Sequence, residues 1–358
     1  MNRKKIIFFL PIMSGGGAER VTINIIKSLN RDYFEPHLVL GTKSLGNSLH
    51  LIPKNIYIYD LKTDKTIYSI FKLRKIIKKI SPYFIYSSLN RSHIAINLAL
   101  IGMGIKNRPK TIMRIPSSPK LVNKYIKTNS IFNFFLNKAL QKADTIIVQT
   151  PEMREETEIY HNIKKSKIKV LINPLDIDLI KDSLDEKNPF EKHHINVIAS
   201  GRLSREKGFD ILIKAFKEVY IKNNNFRLYI IGPDYDNQKK KYMELIRELD
   251  LANIVTLLGF KKNPYKYYQY GDLFVLSSRW EGLPNAVLEN LYLKKPIIAT
   301  KCIPFMSTLI ADGENGFLVE VETIKPLANR ILRYKELKNL GKANLNNSSV
   351  NNFFRELV

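Results

Sequence analysis

Residues 195–232 read INVIASGRLSREKGFDILIKAFKEVYIKNNNFRLYIIG, and they contain a whole strand, turn, helix and second strand. INVIASG is a short apolar run rich in β-branched residues. GRLSREKG is a charged, glycine-bearing turn, FDILIKAF carries apolar residues at helical spacing, and FRLYIIG is a second apolar run. Two such runs joined through a helix lie parallel in one sheet. Downstream, IVTLLGF (254–260), DLFVLSS (272–278), KPIIAT (295–300) and GFLVE (316–320) continue the alternation. Upstream, KKIIFFLP (4–11), EPHLVLG (35–41), NIYIYDL (55–61), YFIYSS (83–88), KTIMRI (110–115) and DTIIVQT (144–150) already show it once. The expectation is an α/β protein of two doubly wound units. Their boundary is expected in KIKVLINPLDIDLIKDSLDEKNPFEKHH (167–194), where a strand ends at Asn173 and Pro174 and a polar stretch follows. The domains are then 1–175 and 176–345, and NNSSVNNFFRELV (346–358) reads as a last helix capped near Ser348 or Ser349.

The chain has 358 residues, 44% of them hydrophobic, which is enough for two cores. Its single cysteine, Cys302, excludes an internal disulfide framework and suits a reducing compartment. The opening MNRKKIIFFLPIMSGGGAER has the outline of a secretory leader. The better reading is a buried first strand from Lys5 to Met13 followed by a helix from Ala18. No stretch reaches the roughly 18 to 20 apolar residues that cross a bilayer, so a cytoplasmic protein is expected.

The net charge of +25 is unevenly spread. Residues 1–175 hold 30 Lys and Arg against 10 Asp and Glu, and no acidic residue lies between Asp64 and Asp144. Lys-rich composition throughout the chain is one explanation. A nucleic-acid partner is disfavoured because no binding motif accompanies the charge. An anionic membrane surface is favoured: YSIFKLRKIIKKI (68–80) sets Phe71, Leu73, Ile76, Ile77 and Ile80 among basic residues, and SIFNFFLNKAL (130–140) adds Phe132, Phe134 and Phe135. Either segment also fits a helix with one core face and one solvated face.

Three places could carry chemistry. Gly15, Gly16 and Gly17 follow the first strand and open a helix, where amides can approach an anion; a plain tight turn reads the same way. Arg202 and Lys207 sit at the carboxyl end of a strand, where open α/β sheets bind ligands and where two cations suit phosphate; a solvated turn with Arg205 and Glu206 is the alternative. The stretch SSRWEGLPNAVLEN decides between them. Glu281 and Glu289 are separated by seven residues, with Gly282 and Pro284 between, and Pro284 suits the first turn of a helix from about Leu283 to Leu293. Amides of Leu283, Asn285 and Ala286 would then face a diphosphate, Glu289 a ribose diol and Glu281 the hydroxyls of a sugar.

With these pieces in place, the chain resembles the retaining glycosyltransferases of family 4. The matching segments are GGGAERV, INPLD, GRLSREKG, GDLFVLSSRWEGLPNAVLEN and ADGENGFLV, which together span nearly the whole chain. The resemblance implies two facing Rossmann-like domains of the GT-B type with a cleft between them. It also implies that the last helix crosses back to the first domain, that the second domain binds a nucleotide sugar, and that the first domain binds an acceptor. Carried over, it makes Arg202 and Lys207 ligands of the donor diphosphate, Glu289 the ribose contact and Glu281 the residue nearest the transferred sugar, with Gly16 and Gly17 near the diphosphate. Asn173 and Asp272 are expected to shape turns. Many relatives carry a first-domain histidine after the strand corresponding to KTIMRI. This chain has Arg114, Ile115 and Pro116 there, which leaves His93 and Arg114 as candidate acceptor contacts. Cys302, Ile303, Pro304 and Phe305 replace a glycine-rich turn.

Lys207, Arg202 and a helix dipole would stabilise the charge on a departing diphosphate, so no metal or other cofactor is expected beyond the nucleotide-sugar co-substrate. The reading is transfer of a hexose or N-acetylhexosamine, with retention, from a UDP-sugar to a lipid-diphosphate-linked saccharide in bacterial O-antigen or capsule synthesis, at the inner face of the cytoplasmic membrane. The alternatives are a UDP-sugar epimerase and a non-catalytic sugar-binding or scaffold subunit.

Overall fold

The structure is a computed structural model that describes residues 3–43, 48–126, 129–184, 187–191, 193–235, 237–338, 340 and 350–358. The chain divides into two compact units, Met1–Pro174 with Asn347–Val358, and Leu175–Asn346. The expected cap near Ser348 or Ser349, and the start of the last helix at 346, lie outside the described residues.

The first unit runs β1 (Lys4–Leu10), α1 (Gly17–Ser28), β2 (Phe34–Leu40), β3 (Tyr57–Asp60), α2 (Ser69–Ile80), β4 (Phe84–Ser87), α3 (Asn90–Ala99), β5 (Lys110–Arg114), α4 (Pro119–Tyr125), α5 (Ser130–Lys142), β6 (Thr145–Val148), α6 (Pro151–His161) and β7 (Ile168–Val170). Its sheet is parallel, in the order β3-β2-β1-β4-β5-β6-β7. The second unit runs α7 (Ile177–Asp182), β8 (Ile195–Ser200), α8 (Phe209–Lys222), β9 (Phe226–Ile231), α9 (Gln238–Glu248), β10 (Val255–Gly259), α10 (Tyr265–Tyr270), β11 (Leu273–Leu276), α11 (Asn285–Tyr292), β12 (Ile297–Thr300), α12 (Met306–Leu309), β13 (Gly316–Val319) and α13 (Ile324–Leu332). Its parallel sheet has the order β10-β9-β8-β11-β12-β13. The last helix, α14 (Val350–Glu356), belongs to the first unit.

A parallel sheet is covered by helices on both faces, so its strands read as continuous apolar runs. Strand β1 shows this directly: Ile6 to Leu10 are all fully buried. Ile7 and Phe9 enter one core with residues of α2, α3 and α5, while Ile6, Phe8 and Leu10 enter the other with residues of α1 and α14. The strand stops at Leu10, short of the expected Met13, because Pro11 has no amide to continue the ladder. Strand β7 likewise ends at Val170, before the expected Asn173.

Helix α14 completes the second of these cores. Phe354 is fully buried, with its ring 6.0 Å from Phe34 and 6.3 Å from Phe84. Asn351 Oδ1 accepts from the Asn30 amide, and the Arg355 guanidinium lies 4.0 Å from the Tyr33 ring centroid. Helix α2 uses Leu73, Ile77 and Ile80 for the core and Ile76 packs against it, leaving Phe71 77% exposed. In α5, Leu136, Ala139 and Leu140 face inward, and Ile131, Phe134 and Phe135 are exposed. Among the described residues no helix is long and apolar enough to cross a membrane.

Candidate active site

In the second unit the carboxyl end of β8 leads through Gly201 and a single 3-10 turn, Arg205–Lys207, into α8. Gly208 closes that turn at φ 61°, and a Cβ there would stand 2.1 Å from the Ser277 carbonyl oxygen. Only glycine allows this approach, which brings the turn against the end of β11. Ser277 Oγ then donates to the Lys207 carbonyl (2.8 Å), and the Arg279 amide donates to the Glu206 carbonyl (2.7 Å).

Arg279 clamps the arrangement. Its guanidinium makes a two-pronged bond to Asp210 (2.9 and 2.7 Å), donates to the Arg205 carbonyl (2.8 Å) and reaches Glu322 (2.7 Å). These hydrogen bonds push its pKa further up, while the same guanidinium outweighs burial and holds the Asp210 carboxyl below the usual range. Lys207 therefore projects from a turn fixed at both ends.

Its ammonium meets Glu281 Oε1 at 2.6 Å, and Ser278 Oγ donates to the same oxygen at 2.7 Å. Both partners are largely covered, their side chains 18% and 12% exposed. The stem of Lys207 lies across Gly201, where a Cβ would come within 2.9 Å of its Cδ and Cε. Thr300 Oγ1, at the end of β12, donates to the Ser278 carbonyl and ties the next strand to the loop. Cys302 is buried beside this pair; desolvation pushes its thiol well up, and the Glu281 charge adds to the rise.

Arg202 is placed differently. It pairs with Glu206 at 3.1 Å and lies 4.9 Å from the Tyr235 ring centroid, with its side chain 47% exposed. Helix α11 begins at Asn285, two residues later than expected, and Pro284 is its N-cap in extended conformation (ψ 105°) rather than a first-turn residue. Pro284 itself supplies no side-chain cap. Gly282, Leu283 and Pro284 are buried, Asn285 is half-buried, and Glu289 is 3% exposed within α11. The loop expected to lack glycine packs Cys302, Ile303 and Phe305 inward.

In the first unit the glycine loop is already occupied. Glu19 Oε2 accepts from the amides of Gly15 (2.7 Å) and Gly16 (3.2 Å), and Oε1 accepts from Ser14 Oγ (2.8 Å). The expected approach of the Gly16 amide to a diphosphate is thus replaced by an internal carboxylate, three residues past the helix N-cap in the manner of a capping box. Gly17 is the first residue of α1.

His93 and Arg114 are corrected from acceptor contacts to interior groups. His93 is fully buried: Nε2 donates to the Arg114 carbonyl (3.2 Å), which leaves Nδ1 to accept from Ser87 Oγ (2.6 Å). Arg114 is 3% exposed and donates to Asn173 Oδ1 at 2.7 Å. Asn173 accepts from the Arg114 side chain, and Asp272 fixes the start of β8 by accepting from the Asn196 amide at 2.7 Å. The chain also contains two Asp-x-Asp pairs. Their first members, Asp176 and Asp234, accept from the amides of Leu179 and Lys239.

Burial lowers the His93 pKa from 6.5 to about 3. Below pH 6.5 the unfolded chain binds the proton that the folded chain refuses, so this stability is present above pH 6.5 and is lost as pH falls toward 3. Between pH 6.5 and 5 the loss from His93 is about 2 kcal/mol, and His161, lowered to about 4, adds to it. The prediction is that His93→Gln flattens the fall of Tm between pH 7 and pH 5. Parallel pH slopes for variant and wild type would refute the assignment.

Two parallel-sheet α/β units are the architecture of glycosyltransferases built from two Rossmann-like domains. The family profile "Glycosyl transferases group 1" matches residues 180–348, and "Glycosyltransferase Family 4" matches residues 15–179. The chain belongs to this family of glycosyltransferases. An uncharacterized glycosyltransferase of Methanocaldococcus jannaschii is 35% identical over 70% of this chain and 62% of its own length. The N-acetylgalactosamine-N,N'-diacetylbacillosaminyl-diphospho-undecaprenol 4-alpha-N-acetylgalactosaminyltransferase of Campylobacter jejuni is 27% identical over 89% of this chain and 87% of its own. Among solved structures, Anabaena HepE in complex with UDP and glucose has a TM-score of 0.81 at 19% identity, covering 99% of both chains.

Proposed function

We propose that this protein moves a hexose or N-acetylhexosamine from a UDP-sugar to a lipid-diphosphate-linked saccharide, with retention of configuration, in assembly of a bacterial surface polysaccharide. The observation that carries the reading is the Lys207–Glu281 pair at 2.6 Å, held at the strand ends where open α/β sheets bind ligands. The Campylobacter relative supports the acceptor class by its name.

In this mechanism Lys207 takes the charge that develops on the departing diphosphate, and the amino end of α11 adds its dipole. Arg202 is recruited to the same phosphates. Its exposed pair with Glu206 is worth only about 0–1 kcal/mol, less than the roughly 1.5–3 kcal/mol of a charge-assisted bond to phosphate. Glu281 orients the transferred sugar and Glu289 the ribose. Lys207, Arg202 and the helix meet the leaving charge without a metal ion. The first unit binds the acceptor, and the exposed Ile131, Phe134 and Phe135 of α5, together with Phe71 of α2, enter an anionic membrane on its cytoplasmic side.

The test is UDP release from a panel of UDP-sugars, with and without lipid-linked oligosaccharide. Acceptor-dependent release from one sugar is expected. UDP release without any acceptor would instead indicate hydrolysis, conversion of one UDP-sugar to another without UDP release would indicate an epimerase, and silence across the panel by folded protein would point first to another nucleotide donor and then to the non-catalytic reading.

A further inference from the structure

We infer that the first unit carries a second anion-binding site, at the amino ends of its strands, for a ligand bearing several phosphate groups. A cavity of about 1070 Å³ lies where β1, β4, β5 and β6 begin, the end of the sheet opposite to the strand termini that bind ligands in open α/β folds. Lys4, Lys5, Lys106, Arg108, Lys110 and Lys142 line it. Among the described residues none of these six is ion-paired with a carboxylate.

The two carboxylates in the lining offset only part of this charge. Glu35 is engaged by Arg3 (3.0 Å) and by the His37 ring (2.9 Å), and Asp144 Oδ2 accepts from the Thr111 amide and hydroxyl (2.7 and 2.8 Å). Two of the cations are also held in place rather than loosely solvated. The Lys4 and Lys110 ammonium groups lie 4.2 and 5.1 Å from the Tyr83 ring centroid, and Lys110 donates to the Leu357 carbonyl (3.4 Å). Tyr83 is fixed by donating its hydroxyl proton to a terminal oxygen of Val358 (3.1 Å) and by its edge contact with Phe84. Six like charges around one concavity repel one another, and an anion of matching multiplicity relieves that repulsion. Among the described residues the one aromatic ring in the lining is engaged with cations, so the chemistry recognised is phosphate oxygen rather than a nucleobase.

Such phosphates come either from a free polyphosphate or from lipid headgroups. The experiment titrates the full chain with tripolyphosphate by calorimetry at low ionic strength, and sediments it with phosphatidylglycerol or phosphatidylcholine vesicles. The variant Lys106→Ser/Arg108→Ser/Lys142→Ser alters only exposed residues. Lys239→Ser/Lys240→Ser/Lys241→Ser on α9 removes the same charge from the other unit. The expected result is tripolyphosphate binding that fades with salt, is at least about tenfold weaker in the first variant and is unchanged in the second. Headgroup recognition replaces that result if tripolyphosphate is not bound while phosphatidylglycerol vesicles carry down wild type and the α9 variant but not the first. Equal binding by wild type and the first variant, equal weakening by both variants, or no binding of either probe overturns the site.

Discussion

Lys207→Ala is expected to lower acceptor-dependent UDP release by about a hundredfold to a thousandfold, the cost of losing one preorganised group that stabilises transition-state charge. The loss should appear equally in kcat and kcat/KM, since the interaction grows only as the phosphate departs. Lys207→Arg is expected to fail as a rescue. The Lys207 stem runs where Gly201 lacks a side chain, and a rigid guanidinium fork cannot follow that path to Glu281 Oε1. Kinetics on the folded variants decide the matter; undiminished turnover by Lys207→Ala would remove this residue from the chemistry.

Phe354→Ala is expected to destabilise the first unit by about 3–5 kcal/mol, the range for truncating a buried aromatic side chain. The ring is fully buried and touches residues from β2 and β4, so the vacated space borders strands that cannot collapse into it. Urea unfolding should show a lower midpoint for the first unit with the second unit's transition in place. A shift of less than about 1 kcal/mol would mean that α14 is dispensable to the core.

The strands were legible because parallel sheets are buried on both faces: KKIIFFL and LFVL are nearly unbroken apolar runs. Lys207 and Glu281 were legible as a pair because each stands at a turn with a marked composition. The parts that stayed hidden depend on distance along the chain. Arg279 and Asp210 are 69 residues apart, and nothing local to either announces the bond. Glu19 did carry a local signal, three residues after Gly16, but glycine offers no side chain to complete the usual capping pattern. His93 and Arg114 stood in for a histidine that many relatives carry, and the sequence did not show that Ser87 and Asn173 would supply their partners inside the fold. In α2, the apolar stripe read as a membrane face is mostly core, and only Phe71 stands outward.

The position of α14 has a consequence for biosynthesis. The ribosome completes the sheet of the first unit early, and α1 covers part of the side of Ile6, Phe8 and Leu10, yet the second helix of that core, α14, is encoded after the whole second unit. At about 5–20 residues per second, the nascent first unit waits roughly 10 to 35 seconds with that core only partly covered. The usual order, in which the amino-terminal domain matures first, is therefore reversed here: the later-made unit can finish folding before the earlier one does. A chaperone that shields apolar surface on nascent chains should stay bound to this protein until residues 350–356 emerge.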